Sequence, residues 1–256
     1  MPALEIFQFP CLSDNFGVLL HDPKTGATAS IDAPDAATVR DALASRGWNL
    51  THILVTHHHA DHTDGILPLK TAMGARVVGP ARDTKPIPGL DQPVGGGEAF
   101  DWSGREVRVI DAPGHTKGHI VFHLPTERLA LVGDVLFSLG CGRVIEGTMA
   151  EMWTSLDTLR RLPGDTAVYC GHEYTVSNAR FALTVEPGNA VLRERAADAT
   201  RLRDAGKSTL PTTIAAECAA NPFLRPESDE IRATLGMREA SNLEIFTELR
   251  ERKNRG

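Results

Sequence analysis

Residues 56–62 read Thr-His-His-His-Ala-Asp-His and follow directly on the apolar run His-Ile-Leu-Val at 52–55. The run is short, apolar and rich in branched side chains, which predicts a buried strand over 52–56. Side chains alternate along an extended chain, so His57 and His59 face the same way. Asp61 and His62 come after the chain turns and face a neighbouring position. One strand end therefore presents two sets of metal-binding donors. A solvated polar loop is the alternative reading of this segment taken alone, and it leaves three further sites unexplained.

Those sites close three other predicted strands. Val-Ile-Asp-Ala-Pro-Gly-His ends at His115, Leu-Ala-Leu-Val-Gly-Asp at Asp134, and Ala-Val-Tyr-Cys-Gly-His at His172. Each is attended by glycine, which lets backbone approach a cluster closely. The pooled donors are five imidazoles and two carboxylates. Such donors suit zinc, iron or manganese. Seven exceed what one zinc ion takes. They match two ions with three terminal ligands each and one bridging carboxylate.

The remaining pattern is mixed, then helical. Strands are expected at 16–21 and 27–32 around a Pro-Lys-Thr-Gly turn, and at 105–112, Ile120–Leu124, Leu129–Gly133 and 166–170. Asp35 can cap a helix to Arg46 with Gly47 after it; a second helix spans 65–73 and stops at Gly74. Thr148 and Glu151 have capping-box spacing and open a helix to Arg161. Beyond Tyr174, Asn189 can cap a helix through Ala205, with short helices at 213–220 and Asp229–Leu235. Ser241 with Glu244 opens a last helix to about Arg252. No β-rich stretch is evident there. The expectation is an α/β domain over 1–174 and an all-helical one over 175–256. Gly95–Gly97 lacks a following Gly-Lys-Ser/Thr and reads as a turn.

Composition narrows the partners. The 256 residues are 41% hydrophobic and 23% charged, ordinary values for a folded chain. Lys+Arg is 27 against Asp+Glu 33, a net charge of -6. That disfavours a nucleic-acid backbone binder. No apolar run approaches a membrane span. Residues 1–16 have no basic segment, and Glu5, Gln8, Pro10 and Asp14 interrupt their apolar runs, so no secretory signal is expected. Cys11, Cys141, Cys170 and Cys218 are scattered without a C-x-x-C, which fits thiols in a reducing cytoplasm. Cys141 and Cys170, beside the motif residues, read as small packing groups.

With these residues in place, Thr-His-x-His-x-Asp-His followed by PGHTKGH at 113–119, Gly-Asp and a later Gly-His resembles the metallo-β-lactamase superfamily. SDNF at 13–16, GDVLFSLGCGR at 133–143, EGT at 146–148, CGHEYT at 170–175 and NPFLR at 221–225 are similar to its glyoxalase II branch. The resemblance spans nearly the whole chain. It implies an αββα sandwich followed by a smaller helical domain. It also implies one ion on His57, His59 and His115, another on Asp61, His62 and His172, and Asp134 between them. Zinc is the first expectation, with iron or manganese compatible. The glutathione contacts carry over to Arg143, Tyr174, Arg250 and Lys253. The family commonly has a tyrosine two residues after the Arg143 position; Ile145 stands there, a departure that bears on one hydrogen bond to the substrate's peptide backbone.

The implied activity is hydrolysis of S-(2-hydroxyacyl)glutathione thioesters, such as S-D-lactoylglutathione, by a monomer. Water ionised by two metals, held by Asp61, Asp134 and the histidines, can attack the carbonyl near neutral pH. A thiol of pKa about 8.5 can leave without a strong acid. A persulfide dioxygenase, with one iron on two histidines and a carboxylate, is the rival enzyme. A non-catalytic metal- or thiol-binding module is the rival of another class.

Overall fold

The computed structural model describes residues 3–83 and 85–255. Strands β1 (Glu5–Cys11), β2 (Asn15–His21) and β3 (Thr28–Ile31) are followed by helix α1 (Ala36–Arg46). Next come β4 (His52–Leu54), α2 (Ala60–Thr63), α3 (Ile66–Met73), β5 (Arg76–Pro80) and β6 (Gln92–Val94). These six strands form one sheet in chain order, antiparallel from β1 to β3 and parallel from β3 to β6.

The second sheet contains β7 (Ala99–Trp102), β8 (Arg105–Asp111), β9 (Ile120–Leu124), β10 (Leu129–Gly133), β13 (Ala167–Cys170) and β14 (Thr212–Thr213). Between β10 and β13 lie the hairpin β11 (Leu136–Phe137) and β12 (Gly140–Cys141), and helix α4 (Met149–Leu159). Helices α5 (Thr175–Val185), α6 (Ala190–Asp204), α7 (Ile214–Ala220), α8 (Asp229–Leu235) and α9 (Asn242–Arg255) complete the chain.

The period-two alternation builds the layers. Leu20, Leu54 and Val78 point between the sheets against Phe122, Leu124 and Leu131. Their neighbours Leu19, Ile53 and Val77 point outward and meet Val39 and Leu43 of α1 and Ile66 and Leu69 of α3. On the far side, Val121, Ala130, Val132 and Val168 pack against Met152 and Leu156 of α4 and Phe246 and Leu249 of α9. The result is helix, sheet, sheet, helix, as the resemblance implies.

The expected caps are present. Asp35 accepts from Thr38 N–H and Gly47 closes α1 in the left-handed region at φ 67°. Both capping boxes form, at Thr148–Glu151 and Ser241–Glu244. The all-helical expectation beyond 174 needs one correction. Thr212–Thr213 is a two-residue strand that extends the second sheet beside β13. Its pairing is long-range, so local pattern carries no signal for it. The edge strand β1 was also not expected, because Pro10 and polar residues interrupt it; at a sheet edge proline is tolerated.

The apolar core runs unbroken from the second sheet into Phe223, Ile231 and Phe246 of the helical part. Phe246 is fully buried. Phe246→Ala should cost about 3–5 kcal/mol and lower the urea midpoint of a single unfolding transition. A separate early transition for the helical part would contradict the continuous core.

Candidate active site

Each donor leaves the end of a strand or the first turn after it. His57 and His59 follow β4, Asp61 and His62 sit on α2, Asp134 follows β10, and His172 follows β13. His115 lies four residues beyond β8. All seven residues are brought together. His59 Nδ1 stands 3.1 Å from His57 Nε2 and 3.0 Å from His115 Nε2. Across the site, His62 Nε2 and His172 Nε2 are 3.3 Å apart, and Asp61 Oδ2 is 3.3 Å from His172 Nε2. Asp134 lies between the two groups. Its Oδ2 is 3.5 Å from His115 Nε2 and 3.2 Å from His172 Nε2, and its Oδ1 is 3.5 Å from His62 Nε2.

The outer hydrogen bonds select the tautomers. His115 Nδ1–H donates to Arg143 O at 2.9 Å. His62 Nδ1–H donates to Asp32 Oδ2 at 2.7 Å, and His172 Nδ1–H to Asp14 Oδ1 at 2.9 Å. Thr56 O–H donates to Asp32, so its oxygen accepts from His57 Nδ1–H at 3.0 Å. Four Nε2 atoms therefore face inward, as metal-ligating imidazoles require. Nitrogens on one tetrahedral zinc at ~2.0–2.1 Å stand roughly 3.3 Å apart, close to the spacings here. Asp134 Oδ1 is buried with no hydrogen-bond partner among the described residues. Gly171 leaves the space: a Cβ there would stand 2.4 Å from that oxygen. This donor set fits a pair of metal ions.

Electrostatics divides the site. Burial holds His57, His59 and His115 below the usual imidazole pKa and so neutral. Burial also lowers His62, but Asp134 and Asp32 outweigh it and raise the group well above that value. For His172, burial is again opposed, by hydrogen bonds to Asp134 and Asp61, which push it up to about 10. Asp134 stays ionised despite its burial because His62 and His172 face it.

A cleft of about 580 Å³ opens beside the donors, and Arg143, Tyr174, Arg250 and Lys253 all line it. Tyr174 stacks on His172 with ring centroids 4.9 Å apart. Arg250 is buried, donates from Nη1 to Cys141 O at 2.9 Å and stands over Phe223. Lys253 Nζ donates to Ser177 O at 3.0 Å. Burial, then the charge of Arg250, lowers the Lys253 pKa. Ile145 is 58% exposed and is not among the lining residues. Asn221 of NPFLR donates to Phe137 O and Gly140 O, so that motif braces the hairpin from which Cys141 and Arg143 reach the cleft. Cys141 and Cys170 are buried thiols whose pKa burial pushes up, in keeping with packing roles.

Sequence reasoning assigned no site role to Asp32, Asn15 or His119. Asn15 Nδ2 donates to Asp61 O at 3.1 Å and Asp61 Oδ2 at 3.2 Å. Asp32 directly follows β3, the neighbour of β4; a carboxylate just past the strand beside the histidine strand was the available signal.

Two family models match the chain, together over residues 18–256. One, the metallo-beta-lactamase superfamily, matches residues 18–172; the other, the hydroxyacylglutathione hydrolase C-terminus, matches residues 173–256. A protein of Rhizobium meliloti (strain 1021) named hydroxyacylglutathione hydrolase is 52% identical over 254 residues, 99% of each chain. The chain belongs to the hydroxyacylglutathione hydrolase family. A Brucella anthropi protein of the same name is 53% identical over 253 residues, 99% of this chain and 97% of its own. Among solved structures, ETHE1 from Myxococcus xanthus shares the fold, with TM-score 0.67 and 24% identity over 96% of both chains.

The raised pKa of His172 makes the metal-free protein pH-sensitive. A folded pKa of about 10 against an unfolded ~6.5 means stability fully present below ~6.5 and lost as pH rises through about 10. The thermal midpoint of chelator-treated protein should fall between pH 7 and pH 10, and His172→Gln should flatten that slope. Calorimetry across the range checks both.

Proposed function

We propose that this protein hydrolyses S-(2-hydroxyacyl)glutathione thioesters, S-D-lactoylglutathione among them, to glutathione and a 2-hydroxy acid, the second step of methylglyoxal detoxification. The observation that carries this reading is the seven-donor centre opening onto a cleft lined by Arg143, Arg250 and Lys253. His57, His59 and His115 would hold one divalent ion, and Asp61, His62 and His172 the other, with Asp134 placed to reach both. Zinc is the ion the donors favour, with iron and manganese compatible. When bound, such a pair supplies ionised water near neutral pH and polarises a carbonyl.

The chain's own groups do the rest. Asp61 and Asp134 bring two negative charges, fewer than the charge two divalent ions would carry, so the loaded centre would stay net positive toward a developing oxyanion. Asp14, Asp32 and the Arg143 carbonyl fix the ring orientations. Arg143 and Lys253 offer charges to glutathione carboxylates. Tyr174, stacked on His172, shapes the wall between cleft and donors. A thiolate of ordinary pKa, about 8.5, leaves without an acid from the protein.

A mononuclear dioxygenase has no use for a complete second set, and Asp61, His62 and His172 form one. All proposed site residues come from one chain, so one protomer holds everything the proposed reaction needs. The four unpaired thiols support a cytoplasmic location. Among the described residues no helix is long and apolar enough to cross a membrane.

The deciding experiment pairs a thioester-hydrolysis assay on S-D-lactoylglutathione with elemental analysis. Turnover with two ions per chain is expected, and Asp134→Ala should lose most activity and one or both ions. Full activity with a single tightly bound ion would sink the binuclear reading, and glutathione binding without turnover would favour a binding module.

Substrate recognition has its own test. Arg250 also braces Cys141 and Phe223, so Lys253 is the cleaner probe. Lys253→Ala should raise KM for glutathione thioesters about ten-fold, the loss of one charged hydrogen bond, with kcat little changed. A small thioester lacking glutathione carboxylates should be hydrolysed as before; equal impairment on both substrates makes Lys253 structural.

A further inference from the structure

His119 is the second histidine of Pro-Gly-His-Thr-Lys-Gly-His, and none of the roles assigned above uses it. Its side chain lies behind the donors rather than among them. It is 1% exposed. Nε2 accepts a hydrogen bond from the backbone N–H of Asp134 at 3.1 Å. The ring also stacks on His57, with centroids 4.7 Å apart and planes 23° from parallel. One imidazole thus touches the bridging carboxylate's residue and a terminal donor.

The surroundings hold this contact rigidly. Ala112 N–H donates to His119 O at 2.8 Å, and Ile120 N–H donates to Thr56 O at 3.0 Å, tying the start of β9 to the end of β4. Gly133, at φ 50°, leaves the ring its place, since a Cβ there would stand 2.7 Å from His119 Nε2. Asp134 follows this glycine in a tight turn, with Val135 N–H donating to Val132 O. The Asp134 N–H has His119 as its acceptor.

The chemistry of the ring is then defined. Nε2 accepts, so the proton sits on Nδ1 and the ring is neutral. Nδ1 is buried and has no hydrogen-bond partner among the described residues. A purely packing position is better filled by phenylalanine or leucine, which bury no unsatisfied donor. Imidazole at this position supplies both an acceptor at Nε2 and a flat face against His57.

We propose that His119 is a positioning residue for the reaction: it holds the Asp134 backbone so that the carboxylate spans both donor groups, and it fixes the plane of the His57 ring. The inference rests on the hydrolase reading above. Through these two contacts His119 couples the groups that the two sheets contribute, without touching substrate.

The test compares His119→Phe, which keeps a flat ring and removes the acceptor, with His119→Gln, whose amide oxygen reaches the Nε2 position. Zinc affinity is measured by chelator competition, site geometry by the visible absorption of the Co(II)-loaded protein, and kinetics on S-D-lactoylglutathione. Circular dichroism melting of the metal-free forms reports the fold. His119→Phe should weaken zinc binding and lower kcat, each roughly 10- to 100-fold, with KM little changed and a shifted Co(II) spectrum. His119→Gln should restore most of the loss. Wild-type zinc affinity, spectrum and kcat in the Phe variant overturn the proposal. Equal impairment of both variants overturns it too, because the acceptor then has no role. A wild-type protein that fails to bind two ions or to hydrolyse the thioester refutes the hydrolase reading itself, and is read before either variant.

Discussion

The carboxylate of Asp32 accepts three hydrogen bonds: from Thr56 N–H at 2.7 Å, from Thr56 O–H at 2.9 Å and from His62 Nδ1–H at 2.7 Å. It sits just past the end of β3, in the left-handed region at φ 55°, where few residues other than glycine, asparagine and aspartate settle. Through Thr56 it orders the chain leaving β4 and, one atom further, the tautomer of His57. Through His62 it orders the first turn of α2. One buried carboxylate therefore orients a donor in each half of the centre. The geometry described for the other five donors is useful only while these two remain in place.

Around that anchor, the site has two electrostatic characters. His57, His59 and His115 are kept neutral by burial, whereas His62 and His172 face the carboxylates of Asp134, Asp61, Asp32 and Asp14. The first group is poised to donate lone pairs. The second is held toward the protonated form by those carboxylates, so binding a cation there would require protons to leave. Asp134 serves both and is the one donor with an oxygen toward each group. The wall of the cleft comes from elsewhere in the chain. Asn221 and Glu217 hold the hairpin of β11 and β12 from behind, and α9 brings Arg250 and Lys253 to its mouth. Because the core of the second sheet continues into these helices, the wall stands at a defined distance from the donors.

The legibility of the sequence was uneven for physical reasons. Donors crowd at 57–62 because one strand end supplies both groups, and such density is visible in a single line of residues. The helix boundaries at Asp35, Thr148 and Ser241 were legible because a cap is a local hydrogen bond between residues three apart. The strand β14 was hidden because two residues carry no periodicity, and their pairing partner lies more than forty positions away. Asp32 and His119 were equally hidden. A carboxylate or an imidazole behind a ligand has no spacing rule to obey, and only the neighbouring strand identifies it.

The sequence by itself determined the chemistry of the donors, the class of fold and the family, since these depend on residue types at short spacings and on motifs read in order. The tertiary structure alone decided which donor faces which, that Asp134 reaches both groups, and that Arg250 is braced against Cys141 while Lys253 is held at the cleft by Ser177. Those outcomes depend on contacts between elements distant along the chain. They are set where two sheets and the helical part meet, by hydrogen bonds whose partners no local pattern names.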